Sequence, residues 1–234
     1  MRLIHLVAIV TFAFGAPPVA AAQTSTPGAA VARASADRPV TPQEVRAAQT
    51  AADDLIREAE ASAFFINVTD GASPVVRHTQ SGLTCEFPLE GRQNRIFVIS
   101  PDGSDVACGS VDLGIHHTLY ATRYTTTVSA EDALVEASDA IVERYPSAKP
   151  YEGEAFTISV EYPDEVVLPP TYRATFTIEL DGGAAFTSVS TALHDGWILK
   201  QRVTAPKLDE AIEAQLYSAT LWNAALASLV DETD

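Results

Sequence analysis

Hydrophobic residues recur every three or four positions in three stretches of the chain, which is the spacing of an amphipathic helix. The first stretch begins with Thr41, Pro42 and Glu44, a capping box with proline at the first helical position. Ser129 can cap the second stretch, and Pro146 ends it because proline cannot continue a helix. The pattern therefore predicts helices over 41–63, 130–145 and 208–230.

Between these helices, apolar and polar residues alternate in short segments, which predicts half-buried strands. Glycine, proline and aspartate separate the segments as turns, and Asp195-Gly196 is typical of a two-residue hairpin turn. The predicted strands are 64–68, 75–79, 82–87, 95–100, 105–111, 116–128, 155–162, 172–180, 184–193 and 197–204.

The order of the elements is helix, strands, helix, four strands, helix. Half-buried strands favour antiparallel sheets with helices on one side. We therefore predict an α+β fold in which an antiparallel sheet of several strands is covered by about three helices. A single domain over 41–234 is the favoured organisation, and two packed halves, 41–128 and 129–234, are the alternative.

The first residues of the chain have the layout of a secretory signal. Arg2 is followed by an apolar run over 3–14, and Ala20 to Ala22 are the small residues that a signal peptidase needs. The run is shorter than the roughly 20 residues that cross a bilayer. We predict a signal peptide over 1–22 cleaved near Ala22, export to the periplasm or the medium, a flexible linker over 23–40, and no membrane span in the mature chain.

Cys85 and Cys108 are the two cysteines of the chain. An even number of cysteines in an exported protein indicates a disulfide, and both lie in strand-like surroundings with 95–100 between them. A redox pair usually has C-x-x-C spacing, and no zinc pattern matches these positions. The sequence thus predicts a bridge that staples the strands of the first half into one sheet.

The charge balance of the chain is strongly acidic, with 15 Lys and Arg against 31 Asp and Glu and a net charge of −16. The predicted leader contains one base and no acid, so its removal makes the charge one unit more negative. Nucleic acids and anionic membranes bind positive surfaces, so neither is expected as a partner.

One segment resembles a known group of proteins. Gly196, Trp197, Lys200, Arg202, Thr204 and Pro206 match the Gly-Trp-x-x-Lys-x-Arg-x-Thr-x-Pro strand of uncharacterised bacterial exported proteins. The cysteine-bearing stretch 78–108 is similar to the same group, and the resemblance covers most of 75–230. It implies an exported protein and brings no activity with it. The order of the elements is also similar to the α/β/α sandwich of the PsbP type, in layout alone.

The sequence contains none of the common catalytic or cofactor motifs, namely G-x-S-x-G, H-E-x-x-H, a Walker loop or a glycine-rich dinucleotide turn. No cofactor and no metal site is therefore expected. His116 and His117 are adjacent on a predicted strand, so their side chains should point to opposite faces. An exported hydrolase that uses His78, His116 or His117 with a carboxylate stays open as an alternative.

A small group of bases forms the candidate ligand-binding patch. If both predicted hairpins are tight, Arg173 lies opposite Thr191, Thr191 lies opposite Lys200, and Arg202 lies in the next row. Guanidinium groups and hydroxyls suit a carboxylate or phosphate, so the patch could hold a small anion or an acidic partner. The alternative is a solvated face on which Glu161 and Glu179 neutralise these bases.

These observations favour a non-catalytic exported interaction or accessory module that binds an unknown protein or a small anionic ligand. Two alternatives remain at this stage: a hydrolase with an unfamiliar site, and a small-ligand-binding protein with a cavity between sheet and helices.

Overall fold

Each of the first two helices begins at a residue whose side chain caps it. In the computed structural model, which describes residues 38–89, 93–154 and 167–230, α1 is Pro42–Glu58 and has the capping box between Thr41 and Glu44. It ends before the predicted residue 63 because Glu60 has a left-handed φ of 52°. Helix α2 is Ala130–Arg144, and Ser129 Oγ accepts the N–H of Asp132 at 3.0 Å.

The third helical stretch begins with a short 3₁₀ turn, Leu208–Glu210, and continues as α3, Ala211–Val230. Both α2 and α3 therefore lie within their predicted ranges. The predicted leader, most of the linker, and the predicted strand over 155–162 fall outside the described residues. No helix in the described ranges is long and apolar enough to cross a membrane.

The strands form two antiparallel sheets, and residues from Val40 onward make one compact unit. A three-stranded sheet has the order β1-β2-β3, and a seven-stranded sheet has the order β4-β5-β6-β10-β9-β8-β7. Within the described ranges the strands are β1 Phe65–Asn67, β2 Val75–His78, β3 Thr84–Glu86, β4 Arg95–Val98, β5 Asp105–Asp112, β6 Ile115–Thr122, β7 Lys149–Pro150, β8 Tyr172–Leu180, β9 Gly183–His194 and β10 Trp197–Ala205.

Helices α2 and α3 lie on opposite faces of the seven-stranded sheet, so the prediction of helices on one side is wrong. Ala185 packs in a cluster with Ile141 of α2, whereas its neighbour Phe186 packs with Ala211 and Ala214 of α3. Successive strand residues point to opposite faces, so each helix has its own face. The alternation of apolar and polar residues suggested one buried and one solvated face. Strand β9 is instead buried on both faces, and its polar positions are small hydroxyl side chains.

The predicted disulfide between Cys85 and Cys108 is present, and their Cα atoms lie 6.4 Å apart. It does not staple a single first-half sheet, as the sequence suggested. Cys85 belongs to the three-stranded sheet and Cys108 to β5 of the seven-stranded sheet, so the bridge joins the two sheets. Both cysteines are buried in the main core, beside residues of α1 and α3.

In the part of the chain that the structure describes, part of the seven-stranded sheet has no helix over it. We call the two faces the α2 face and the α3 face, after the helices that cover them. Helix α2 packs on β8 and β9, and no described helix covers the α2 face of β10, β6, β5 and β4, which we call the open face. Phe97 on β4 is 42% exposed there, and His116 on β6 is exposed as well. This open face contains the candidate site.

Candidate functional site

The hairpin that presents the predicted patch has a register one residue away from the expected one. Lys200 pairs with Thr191 and Arg202 with Val189, as predicted. Arg173, however, pairs with Ser190 instead of Thr191, because the β8–β9 turn has two residues between Leu180 and Gly183, not three. A shift of one residue moves every side chain of a strand to the other face.

Arg173 therefore lies on the opposite face of the sheet from Lys200 and Arg202, whereas Thr191 stays on their face, opposite Lys200, and is buried there. Arg173 lies half-buried on the α3 face, where its Nε donates to Ser190 Oγ at 3.1 Å and burial lowers its pKa. Thr191 is fully buried beneath α2, and its Oγ1 donates to the carbonyl of Ala130 at 2.7 Å. Thr191 thus has a structural role at the start of α2.

Lys200 and Arg202 remain together on the α2 face and meet residues that the sequence did not associate with them. Arg202 lines a groove of about 390 Å³ between β6, β10 and the end of α2, and Lys200 borders it. We call it the Tyr145 groove, and its lining residues are His116, Thr118, Tyr120, Arg144, Tyr145, Leu180, Arg202 and Thr204.

The positively charged side chains at this groove lie over tyrosine rings. The guanidinium carbons of Arg144 and Arg202 each lie 5.6 Å from the centroid of Tyr145, and Arg144 Nε also donates to the Tyr145 hydroxyl at 3.2 Å. Lys200 Nζ lies 4.8 Å from the centroid of Tyr120. A cation over an aromatic face is attracted by the ring quadrupole, so these contacts orient the charged groups without neutralising them.

Carboxylates do not balance these charges in the part of the chain that the structure describes. None of the ion pairs there involves Arg144, Lys200 or Arg202. On the α2 face of β4, β5, β6 and β10 the one acidic side chain is Asp105, which accepts from Thr122 Oγ1 at 2.8 Å. Glu179 shares a face with Arg173, and Glu161 lies outside the described residues.

The histidines are separated by the fold. His116 is exposed and lines the groove, while His117 points to the opposite face and is buried. His117 Nε2 lies 2.9 Å from Gln201 Nε2, and burial lowers its pKa to about 4. His194 lies beside Asp195 at the tip of the β9–β10 hairpin.

A serine–histidine pair is present in the core, away from the groove. His78 Nδ1 lies 2.8 Å from Ser81 Oγ, and the two residues are 0% and 7% exposed. Burial lowers the pKa of His78 to about 4, and its Nε2 has no hydrogen-bond partner. Its ring packs against Phe65 and, edge-on, against Trp197. This pair belongs to the packing of the core.

No group of three His, Cys, Asp or Glu side chains that could hold a metal ion occurs in the described ranges. The residues that sequence reasoning missed at the groove are Arg144 and Tyr145 from α2, and Thr118 and Tyr120 from β6. The signals available were a basic residue in the last turn of a helix and a strand with alternating hydroxyls. Neither signal indicates that the two elements meet.

No protein-family model matches this chain, and no curated protein matches it either. Among solved structures, the chain is similar to DynU16, a protein of the dynemicin biosynthetic locus. The identity is 14%, the alignment covers 77% of this chain and 94% of that chain, and the TM-score is 0.16. A likeness at this TM-score carries no argument about fold or function.

Proposed function

We propose that this protein is an exported, non-catalytic interaction or accessory module that binds an anionic group of its partner in the Tyr145 groove. The anionic group is a carboxylate or phosphate, because Arg guanidinium and hydroxyl donors match both. The export part of the proposal rests on the predicted leader and on the sequence resemblance, and the disulfide between Cys85 and Cys108 is compatible with an oxidising compartment.

One observation carries the binding proposal: Arg144 and Arg202 converge on Tyr145, and no carboxylate of the described residues pairs with either. Each guanidinium carbon is 5.6 Å from the same ring centroid, so the two charges lie within about 11 Å of each other. Their mutual repulsion at a partly solvated site is on the order of 1 kcal/mol. An anion bound between them would relieve that repulsion and form charge-assisted hydrogen bonds with both.

The chemistry of the groove favours a binding role over a hydrolytic one. His116 lines it, and none of the described residues that line it is a carboxylate that could orient the imidazole or balance its charge. The lining hydroxyls come from threonine and tyrosine, and Thr204 Oγ1 already lies 2.9 Å from Thr187 Oγ1. These residues can position an anion by hydrogen bonding.

The test is a titration of ¹⁵N-labelled protein at low ionic strength with glutarate, a small dicarboxylate, and with inorganic phosphate. We expect at least one of them to shift the backbone amides around Tyr145 and Arg202 saturably. The double variant Arg144→Gln/Arg202→Gln should bind about tenfold more weakly, since each charge-assisted contact adds to affinity. Lys207→Gln, which removes one base elsewhere, is the matched control and should bind as the wild type does.

The absence of saturable shifts at the groove with both anions would contradict the proposal. A loss of binding free energy in Lys207→Gln that is half the loss in the double variant would contradict it as well. Net charge alone would then explain the binding, because the double variant removes two charges and Lys207→Gln removes one.

A further inference from the structure

A row of side chains extends the Tyr145 groove across the open sheet to β4. Arg202 pairs with Thr118, Thr118 with Gly109, and Gly109 with Arg95. These four residues therefore lie side by side on the α2 face of β10, β6, β5 and β4. Neighbouring strands are about 4.8 Å apart, so the backbones of Arg202 and Arg95 lie about 14 Å apart.

The protein surface is recessed at the middle of this row, because β5 contributes only small residues there. Gly109 has no side chain, and Ala107 in the adjacent row is buried between Tyr120 and Phe97. A second groove of about 150 Å³ lies over Gly109, with Arg95 and Phe97 on its far side. It shares His116 and Thr118 with the Tyr145 groove, so the two grooves adjoin at these residues.

The walls of these two adjoining grooves combine positive charge with apolar surface. The charge comes from Arg144 and Arg202 in the Tyr145 groove and from Arg95 in the second groove. Phe97, which is 42% exposed, forms part of the wall at the β4 end. Arg95 also borders a separate groove that contains Glu58, so it is the weaker of the two anchor points. No acidic side chain lies on the α2 face in the rows of Arg202 and Lys200.

We infer that the ligand of this surface is an extended acidic segment of a protein, which crosses the open sheet from the Tyr145 groove to Arg95. This inference rests on the proposed function and specifies the partner. Two acidic residues four positions apart in an extended chain are about 13 Å apart and point to the same side. That spacing matches the distance between the two anchor points, and an apolar residue between the acids would contact Phe97.

The charge of the whole protein favours such a segment over a nucleic acid. With a net charge of −16, the protein repels a dense polyanion, and nucleic-acid binding normally needs a positive surface. A peptide with two widely spaced carboxylates is repelled far less. A small anion would occupy the Tyr145 groove alone and would not reach Arg95.

Two synthetic peptides of identical composition test the inference by amide chemical shifts. One has two glutamates four positions apart with a leucine midway, a separation of about 13 Å when extended. The other contains the same residues with the glutamates adjacent. We expect the spaced peptide to bind about two- to fivefold more tightly, the factor that one exposed ion pair worth about 0.5–1 kcal/mol provides. Its shifts should extend from Tyr145 to β4.

Two variants separate the charge from the shape of the surface. Arg95→Gln removes the far anchor, and Gly109→Leu fills the recessed middle of the row without changing charge. A Cβ at Gly109 would meet its neighbours at 3.5 Å, which is ordinary contact, so the strand tolerates a methyl group there. Both variants should reduce binding of the spaced peptide to that of the adjacent one and leave glutarate binding unchanged. Gly182→Leu, at an open turn position, is the matched control.

If Gly109→Leu lowers the melting temperature, Arg95→Gln and the smaller Gly109→Ala provide the same test on a folded protein. Equal affinity for the two peptides, with both lost in Arg144→Gln/Arg202→Gln, would overturn the extended ligand and leave the proposed function intact. Binding of the acidic polysaccharide polygalacturonate in the absence of peptide binding would also overturn it. Failure of glutarate, phosphate and both peptides would contradict the proposed function itself.

Discussion

Acidification should destabilise this protein through two buried histidines, His78 and His117. Both are neutral in the folded state, because burial lowers each pKa from 6.5 to about 4. In the unfolded chain both regain an ordinary pKa near 6.5. The unfolded state therefore binds more protons than the native state between these two values, and stability falls as the pH decreases from 6.5 toward 4.

The hydrogen bonds of His117 oppose its protonation in the same direction. Ser218 Oγ donates to Gln201 Oε1, so the Gln201 amide nitrogen must face His117 Nε2 as a donor. A protonated His117 would present an N–H to that donor. At His78, Nδ1 lies 2.8 Å from Ser81 Oγ, a hydroxyl that can accept from the ring, so burial is what opposes protonation there.

The size of the effect follows from the pKa values. Between pH 7.5 and pH 5, a group that titrates at about 6.5 unfolded and about 4 folded costs about 2 kcal/mol of stability. Two independent histidines give about 4 kcal/mol, a large part of the 5–15 kcal/mol typical of a domain of this kind.

Urea unfolding followed by tryptophan fluorescence at several pH values measures this dependence. His117→Gln keeps an amide near the position of Nε2, and His78→Asn keeps one near Nδ1, so each variant should lose about half of the pH dependence. His116→Gln, at an exposed position of the same strand as His117, is the matched control and should retain the full dependence. An unfolding free energy that is flat between pH 7.5 and 5 in the wild type would refute the reasoning.

Three further predictions concern the disulfide, a tight turn and the start of α2. Replacing Cys85 and Cys108 together by alanine should lower the unfolding free energy by about 3 kcal/mol, because the bridge closes a loop with a sequence separation of 23. Gly103→Ala should cost about 2–4 kcal/mol, since φ is +77° and the new Cβ would lie 2.5 Å from Phe64. Thr191→Val should cost about 1–2 kcal/mol, because the carbonyl at the start of α2 loses its donor. Urea unfolding measures all three.

Each of these predictions has a control. Reducing agent should destabilise the wild type but not the double cysteine variant. Gly182→Ala, with open space around its Cβ position, should be neutral within about 0.5 kcal/mol, so an equal loss there would contradict the account of Gly103. Thr187→Val removes another buried strand hydroxyl, one that donates to the carbonyl of Val203 on β10 and not to the start of α2, and should leave the helix content unchanged.

Local signals in the sequence predicted the elements well. The capping box at Thr41 and the Asp195-Gly196 turn each involve neighbouring residues, and both are present as expected. The Asp181-Gly182-Gly183 segment was ambiguous, because adjacent glycines permit a turn of two or of three residues. The shorter turn moved Arg173 to the other face of the sheet, and that change divided the predicted patch.

The groove itself depends on contacts between distant parts of the chain. Strand β6 pairs with β10 from the other half of the sequence, and that pairing brings Tyr120 beside Lys200. The end of α2 reaches the same sheet face and adds Arg144 and Tyr145. No local pattern encodes which strands become neighbours, so a single sequence could identify the bases and not the site that they form.

The most direct measurement of the central claim is the unfolding free energy of Arg202→Gln with and without glutarate. If Arg202 is there to bind an anion, the variant should differ from the wild type by less than about 1 kcal/mol without ligand, since lost repulsion from Arg144 offsets the lost contact with Tyr145. Glutarate at ten times its wild-type dissociation constant should stabilise the wild type by about 1.4 kcal/mol. Arg202→Gln retains one of the two guanidinium groups and should bind about threefold more weakly, so the same glutarate concentration should stabilise it by only about 0.9 kcal/mol. A variant that is strongly destabilised without ligand, yet stabilised by glutarate as much as the wild type, would contradict the account.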